Sequence, residues 1–451
     1  MKDLTQGKLL NHLYHLALPS IGGMLAFSLF NLTDTYFVGK LGTESLAAMG
    51  FTFPIVMIAG AISSGISTGA ASVISRAAGN KDRKTMRRTA TDGILLSIVI
   101  VAIFSTLGLL TMDLLFPLLG AKGDTLPLVK SYMTVWYSFV IVVLMPPIGD
   151  AAMRAVGDTY RPFKVMITCA LLNMILDPIF IFGWLGFPAL GIQGAAIATV
   201  ISRAVGMVMT LSFNHFYHQL IDFHVPKYKE ILDSWSKILT IGIPGIGVSL
   251  IPQLVRMALT TLAAYTGGTL AVAAVAAGSR IEGFSLMIAT AIGISIVPLV
   301  GQNYGAGAFD RVKDIRRLLN RASFVVGTGM FLLILVIAKP VVLLFTQDPA
   351  VVGLTVTYLR VMTIASIGLN LYNFTNQSLN AIGQSLTALK INAFGTICIL
   401  LPLMFFGSRI SFTLLIAGLA TGQVLVGMVS MYFGNRILAP TNLKALSEKA
   451  S

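Results

Sequence analysis

Charge is scarce in this sequence, because only 11% of its 451 residues are Asp, Glu, Lys or Arg. A soluble domain carries roughly 25% charged residues, so much of this protein's surface must face something other than water. Hydrophobic residues make up 55% of the chain. The stretches 94–110, 135–145 and 325–337 lie in apolar runs of the length, about 20 residues, that crosses a bilayer. These runs are too continuous for barrel strands, so we predict an all-α integral membrane protein.

Cysteine is also scarce, and three common signatures of nucleotide or metal binding are absent. The two cysteines, Cys169 and Cys398, both fall in apolar spans, and we interpret them as small buried side chains without a disulfide framework. The chain has no GxxxxGK[ST], HExxH or CxxC motif, so ATP-driven transport and metal-dependent hydrolysis have no support. We therefore predict that the protein is not an enzyme and uses no cofactor and no structural metal.

Basic residues outnumber acidic ones, with 32 Lys and Arg against 18 Asp and Glu and a net charge of +14. They do not form the single basic face or tail of a nucleic-acid-binding protein, and instead recur between apolar spans at every second loop. This pattern follows the positive-inside rule, which places both termini in the cytoplasm. We expect a multi-pass membrane protein, with the lipid bilayer as a partner and no nucleic acid.

The apolar pattern delimits twelve spans. The predicted spans are 13–38, 45–73, 89–116, 125–149, 162–185, 190–215, 237–265, 269–299, 317–338, 350–378, 385–407 and 410–436. The loop between spans eight and nine is predicted to be basic and contains Arg311, Lys313, Arg316, Arg317 and Arg321.

An internal repeat divides the chain into two halves. Four pairs of residues in similar segments lie about 225 positions apart, namely Pro19 and Pro244, Gly42 and Gly268, Gly79 and Gly305, and Gly157 and Gly383. Each half holds six spans, and an even number places the halves in parallel orientation. We predict twelve transmembrane helices in two pseudo-symmetric six-helix bundles: an N-lobe at 1–215, a cytoplasmic linker at 216–236 and a C-lobe at 237–451. Repeated halves of this kind are typical of secondary transporters.

Two acidic residues lie inside spans of the first half, Asp34 in span one and Asp177 in span five. An ionisable group inside a bilayer is costly, so both are functional candidates. Asn31 precedes Asp34 by three positions and Asn173 precedes Asp177 by four, which puts each amide on the face of its acid. Pro178 frees a backbone carbonyl one turn earlier. These groups can bind a proton or a small cation. Alternatively, the acids could form hydrogen bonds to neighbouring helices or lie at a hydrated helix end.

The second half has different polar residues. Glu282 in span eight lies two positions after Arg280, so the two cannot share a helical face. We predict a structural ion pair to another helix, through Arg256 in span seven. Asn373 and Gln377, one turn apart in span ten, can line a water-filled substrate cavity or form hydrogen bonds between helices.

The segment LALPSIGGMLAFSLFNLTDTYFVGKLGTESLAAMGF at 16–51 resembles the start of multidrug and toxic compound extrusion (MATE) transporters, and NMILDPIFIFG at 173–183 agrees. The resemblance covers the whole chain and is specific in the first span and at 173–183. Within the family the chain is similar to the prokaryotic DinF-type branch, which implies a bacterial or archaeal cytoplasmic (inner) membrane. It implies a V-shaped pair of bundles that exports cationic, lipophilic compounds against an inward flow of H⁺ or Na⁺. It also implies an ion site at Asp34, Asn173 and Asp177. We expect the first helix to bend about Pro19 or about Gly22 and Gly23.

The chain departs from the NorM-type branch, which carries acids in spans seven and ten. Span seven here has Arg256 and span ten has only amides, so a C-lobe sodium site of that type is not expected. We predict a multidrug antiporter that functions as a monomer, with H⁺ as the coupling ion and Na⁺ as the alternative. Two other functions stay open: a lipid-linked saccharide flippase, which would need more cationic residues in the membrane, and a receptor or scaffold without transport activity.

Overall fold

The protein is built from helices throughout the residues that the computed structural model describes, 2–222, 228–344 and 346–450. The helices before residue 223 are α1 (Leu9–Gly39), α2 (Thr43–Gly79), α3 (Arg83–Leu118), α4 (Thr125–Ser138), α5 (Val140–Leu144), α6 (Pro146–Ala155), α7 (Tyr160–Phe182) and α8 (Ile192–Ser212). Those after it are α9 (Tyr228–Ser285), α10 (Met287–Gly305), α11 (Phe309–Leu343), α12 (Pro349–Ala381), α13 (Ser385–Gly395), α14 (Leu401–Ser408), α15 (Phe412–Ile437) and α16 (Pro440–Ala450). Residues 223–227, in the predicted linker 216–236, lie outside the described residues.

Eleven of the described helices are long and apolar enough to cross a membrane, or up to twelve if one bent pair is a single span. The bent pair is Thr125–Ser138 with Val140–Ala155, whose axes differ by 69° at the break. It corresponds to the predicted span 125–149, and the break falls at Phe139, whose φ of −116° leaves helical geometry. The predicted all-α membrane class is therefore confirmed.

Helix α9 contains a sharp interruption at Gly267 and Gly268, where φ is −140° and +58°. The positive φ of Gly268 lies in the left-handed region, which glycine adopts at little cost because it has no Cβ atom. The interruption falls between the predicted spans 237–265 and 269–299. A second, milder break at Leu286 separates α9 from α10, but backbone hydrogen bonds from Leu286 to Glu282 (3.0 Å) and from Thr290 to Leu286 (2.9 Å) continue across it.

The structure repeats the backbone geometry of the two halves at equivalent turns. Gly157 ends the turn after α6 with φ of +86°, and Gly383 has φ of +82° after α12. Gly42 and Gly268, another pair from the sequence repeat, also have positive φ. The duplication seen in the sequence is therefore present in the chain's turns as well.

The helices group into two compact units. The first consists mainly of Leu18–Ala78 and Asp82–Ile243, and the second of Leu4–Ala17, Gly79–Lys81 and Pro244–Ser451. Residues 237–243, assigned to the second half from sequence, pack in the first unit, because Ile238 joins a buried apolar cluster with Ile66 and Leu96. The segment Leu4–Ala17, which includes the first turns of α1, belongs to the second unit. Leu4, just before α1, donates its backbone N–H to Gln302 Oε1 at 3.1 Å.

Two expectations from sequence are wrong in detail. Arg316, predicted in a basic loop, lies inside α11 and is 4% exposed. Its guanidinium donates to Asn435 Oδ1 at 2.9 Å and Thr375 Oγ1 at 2.7 Å, because α11 begins well before the apolar run that defined the span. Cys169 is buried as expected, whereas Cys398 is exposed.

Candidate functional site

Asp34 lies near the end of α1 and is 7% exposed. The residues one turn before and after it, Phe30 and Val38, are also buried, whereas Leu32 and Tyr36 between them are exposed. Asp34 is therefore an acidic residue in the apolar buried stripe of its helix. Its Oδ1 atom has no hydrogen-bond partner among the described residues.

Asn173 and Asp177 lie one turn apart on α7, and both side chains are fully buried. The Asn173 amide donates to Asp177 Oδ1 at 3.0 Å, as the four-residue spacing predicts. Asn173 Oδ1 and Asp177 Oδ2 have no hydrogen-bond partner in the described part of the chain. Pro178, also buried, follows inside the helix and cannot donate a backbone hydrogen bond.

Helix α1 packs against α7 through Phe30 and Ala170. Val38 of α1, Tyr132 of α4 and Ile181 of α7 share one buried apolar cluster, so these three helices meet in the region that contains Asp34 and Asp177. Tyr132 is 6% exposed and belongs to the apolar core of the first unit. The sequence did not indicate Tyr132, because it is one of 12 tyrosines and has no acidic or amide partner at helical spacing. Only the packing of α4 within the first unit brings Tyr132 into the same cluster as Val38 and Ile181.

The arrangement can bind a positively charged species. Three oxygen atoms, from Asp34, Asn173 and Asp177, are buried without a donor among the described residues. A buried polar atom without a partner costs about 1–3 kcal/mol, and a buried carboxylate costs more. A proton on a carboxyl group supplies a donor and removes a charge. The same oxygens are the type of ligand that a hard cation prefers, so the residues also fit Na⁺.

The other predicted residues of the first half lie apart from this cluster. Asn31 is exposed, and its amide donates to the backbone carbonyl of Phe27 at 2.7 Å. Pro19 lies inside α1, which remains helical through it. It comes two positions after Ala17, where α1 passes from the second unit to the first.

The amides of α12 mostly bond to neighbouring helices. Asn392 donates to Asn376 Oδ1 at 2.9 Å, and Ser385 donates to Asn380 Oδ1 at 2.7 Å. Asn373 and Gln377 are half-buried, and Asn373 lies against α10 beside Gly293. Hydrogen bonding between elements thus accounts for part of this polar stripe, and Asn373 and Gln377 stay as predicted cavity residues.

The predicted ion pair of Arg256, Arg280 and Glu282 is not formed in the described residues. Glu282 Oε2 accepts a hydrogen bond from Tyr358 at 2.7 Å. Arg256 lines the same cavity as Glu282 but no pair between them lies within the 4.0 Å of an ion pair. Arg280 is exposed. It lies two positions before Glu282 on α9, so the two side chains point in different directions from the helix.

A further set of charged groups in the first unit escaped the sequence analysis. Asp150 on α6 accepts a hydrogen bond from Thr210 at 2.9 Å. Arg203 on α8 lies over the ring of Phe30 at 4.7 Å, and its Nε atom is buried without a partner in the described residues. Phe30 lies one turn before Asp34, so Arg203 places a positive charge within the same unit as the two acids.

Comparison with known proteins supports the family resemblance seen in the sequence, along nearly the whole chain. The family model described as MatE matches residues 19–179 and 244–406, one match in each half of the repeat. A protein of Shewanella oneidensis named "FAD transporter" is 32% identical over 429 residues, with 95% of each chain covered. The "Multidrug export protein MepA" of Staphylococcus aureus is 28% identical, covering 87% of this chain and 85% of that protein.

Solved structures agree with the fold. The Vibrio cholerae MATE transporter VcmN, in a structure described as its bent form, superposes with a TM-score of 0.90 at 29% identity. The alignment covers 97% of this chain and 98% of that one. A structure described as the outward-facing conformation of a multidrug resistance MATE transporter has a TM-score of 0.90 at 24% identity, with 99% of both chains covered.

Proposed function

Because the chain belongs to the MatE family, we propose that it is a secondary active exporter that exchanges cationic, lipophilic organic compounds for inward-moving protons. In this proposal Asp34, Asn173 and Asp177 bind the coupling proton. The observation that carries it is the group of three buried oxygen atoms without a donor in the described residues. The protein would work as a monomer in the cytoplasmic membrane, with both termini in the cytoplasm.

Competition for negative charge provides the coupling. With a proton bound, the buried cluster gains a donor and loses a charge, which lowers the cost of its burial. Without the proton, the carboxylates of Asp34 and Asp177 attract a cationic substrate. Because the same carboxylates attract the proton and the substrate, each ligand weakens the binding of the other. Thermodynamic linkage makes this effect equal in both directions.

A change in α1 would connect proton binding to the movement of substrate. Pro19 cannot donate the helical hydrogen bond to the residue one turn earlier, and it lies where α1 passes between the two units. We expect α1 to bend there when Asp34 changes its charge. The relative described as a bent form is consistent with a helix of this fold changing shape.

A second candidate function is the export of a flavin nucleotide. The relative that is 32% identical along 95% of the chain is named "FAD transporter", and its named substrate carries phosphate groups. Arg203 and Arg256 lie within membrane-crossing helices of this chain, where an unpaired cation is costly and marks a site by default. These observations favour an anionic substrate as the alternative to a cationic one.

Transport by the purified protein in liposomes separates these functions. We would load a fluorescent lipophilic cation, impose either a proton or a sodium gradient, and compare wild type with Asp34→Asn and Asp177→Asn. Asp113→Asn is the control, because Asp113 lies on α3 with its side chain 78% exposed. We expect proton-driven export to fall at least tenfold in both site variants and to persist in the control.

The other outcomes would change the coupling ion, the substrate or the coupling residues. Sodium-driven export lost in the same two variants would keep the site and change the ion. Export of FAD without export of the cation would support the second candidate. Cation export that persists in both site variants would reject Asp34 and Asp177 as coupling residues.

A further inference from the structure

The second unit contains a half-open cavity of about 150 Å³ between α9, α12 and α15. Most of its lining is apolar, including Leu259, Met362 and Leu400. A volume of this order accommodates a group the size of a benzene ring. The cavity therefore encloses one ring-sized group, and the rest of a larger molecule can lie outside its opening.

Arg256 is the cationic residue of the lining. It lies on the first arm of α9, inside the predicted span 237–265, and its side chain is exposed. No carboxylate within the described ranges comes within the 4.0 Å of an ion pair with it. A guanidinium in an apolar span is costly without an anion or water. Because the Arg256 side chain is exposed and has no ion-pair partner among the described residues, its donors can reach a ligand.

Glu282 lines the same cavity, but its carboxylate is already engaged. Tyr358 donates to Glu282 Oε2 at 2.7 Å, and Ser279 Oγ lies 3.4 Å from the Tyr358 hydroxyl. This chain of hydroxyl groups holds the carboxylate in place and leaves Arg256 free of it.

Gln423 provides a further polar atom for a ligand. It lines the cavity from α15, and its Oε1 atom is buried with no hydrogen-bond partner in the described part of the chain. A hydroxyl or N–H group on a bound molecule would satisfy this acceptor. The cavity thus presents one set of free cationic donors and one free acceptor around an apolar interior.

We propose that this cavity binds an organic anion, with its carboxylate or phosphate held by Arg256 and its apolar body among the buried side chains. Guanidinium groups pair with both anions through two parallel hydrogen bonds. The inference rests on the proposed transport function only because transport brings organic molecules to the cavity. Two sources share this chemistry: a transported solute and the head group of an anionic lipid.

Equilibrium binding tests the site without any ion gradient, so its result is independent of the coupling residues. The protein is placed in phosphatidylcholine nanodiscs and titrated with riboflavin 5′-phosphate or with riboflavin, which lacks the phosphate, and flavin fluorescence is measured. The variants are Arg256→Gln, Arg256→Lys and Glu282→Gln. Arg280→Gln is the matched control, because Arg280 lies on the same helix, is exposed and does not line the cavity.

We expect Arg256→Gln to weaken binding of the phosphate compound about tenfold, the usual effect of losing a charge-assisted pair, and to leave riboflavin binding unchanged. Arg256→Lys should lose less, and Glu282→Gln should strengthen anion binding, because it removes the nearby negative charge. Arg280→Gln should behave as wild type. Thermal unfolding of each variant shows whether it is folded.

The two sources are distinguished by adding phosphatidylglycerol to the nanodiscs. If it displaces the flavin phosphate in wild type, or is retained by wild type but not by Arg256→Gln in native mass spectrometry, the anion is a lipid. The proposal is overturned if folded Arg256→Gln binds both flavins and phosphatidylglycerol as wild type does. It is also overturned if a cation such as ethidium binds to the cavity, if Glu282→Gln weakens that binding, and if neither anion competes with it.

Discussion

Asn173 donates its side-chain amide to Asp177 at 3.0 Å, one turn along α7. This bond occupies one oxygen of the carboxylate and leaves the other without a partner among the described residues. Asn173 therefore fixes the orientation of the acid, while the free oxygen stays available for a proton. The proposed proton site therefore depends on a hydrogen bond that also stabilises the structure of the first unit.

Replacing Asn173 by Leu should therefore impair coupling more than stability. We expect Asn173→Leu to reduce proton-driven export about tenfold, because Asp177 loses the donor that orients it and a charge-assisted bond is worth about 1.5–3 kcal/mol. Transport and thermal unfolding are measured in the same preparation. The control is Asn392→Leu, which removes an equally buried amide that donates to Asn376 at 2.9 Å. Equal loss of transport in both variants would show that Asn173 has only a structural role.

Pro19→Ala tests the bending of α1. Proline in a helix interior is about 3 kcal/mol less favourable than alanine, so the change should make α1 straighter and raise thermal stability. We expect export to slow severalfold, because a stiffer helix resists bending. Pro54→Ala in α2 is the control, since this proline also lies inside a helix of the first unit. Export at the wild-type rate in Pro19→Ala would argue against a bend at this position.

Asp158, in the turn between α6 and α7, should make stability depend on pH. Burial acts to raise the pKa of Asp158, but hydrogen bonds from His218 and Arg161 outweigh it and hold that pKa below its ordinary value. A lowered folded-state pKa adds stability that is present above the unfolded pKa of about 3.9 and is lost as the pH falls towards the folded value.

Asp158→Asn should therefore lower the unfolding temperature at pH 7, and the difference from wild type should shrink below about pH 4. Thermal unfolding at a series of pH values measures both effects. Asp314→Asn is the control, because its pair with Arg317 at 3.3 Å is exposed and exposed pairs contribute little. A constant difference between wild type and Asp158→Asn across the acidic range would contradict this expectation.

Helices α12 and α15 cross very closely at Gly368 and Gly427. A Cβ atom added at Gly427 would lie 2.3 Å from the backbone oxygen of Gly368, and membrane helices commonly pack through small residues of this kind. We expect Gly427→Ala to destabilise the protein by about 1–3 kcal/mol, the range for an overpacked site. Gly329→Ala, in α11, is the control because nothing lies within 4 Å of its added Cβ. Thermal unfolding that ranks the two variants equally would show that this crossing tolerates a methyl group.

Much of the site could be predicted from the sequence, because its key spacings are local. Asn173 and Asp177 are four residues apart, and a helix fixes such a pair whatever surrounds it. The scarcity of charge likewise made Asp34 conspicuous within its span. Asn31 shows the limit of this reasoning, because its three-residue spacing from Asp34 did not prevent its amide from bonding to Phe27 in its own helix.

Residues that meet only through packing could not be predicted. Tyr132 of α4 shares a buried cluster with Val38 of α1 and Ile181 of α7, and Tyr358 replaces the expected arginine as the partner of Glu282. Arg316 looked like a loop cation because the hydrophobic pattern marks where lipid begins, not where a helix begins.

The sequence by itself determined that the chain crosses the membrane as two repeated sets of helices, since hydrophobic length and periodicity act along the chain. It also determined which acids lie in apolar spans. Only the tertiary structure decided which helix faces lie together, and so which oxygens in the described residues are left without donors and which arginine lines the cavity of the second unit. Those outcomes depend on the rotation and neighbours of each helix, which short-range sequence patterns do not encode.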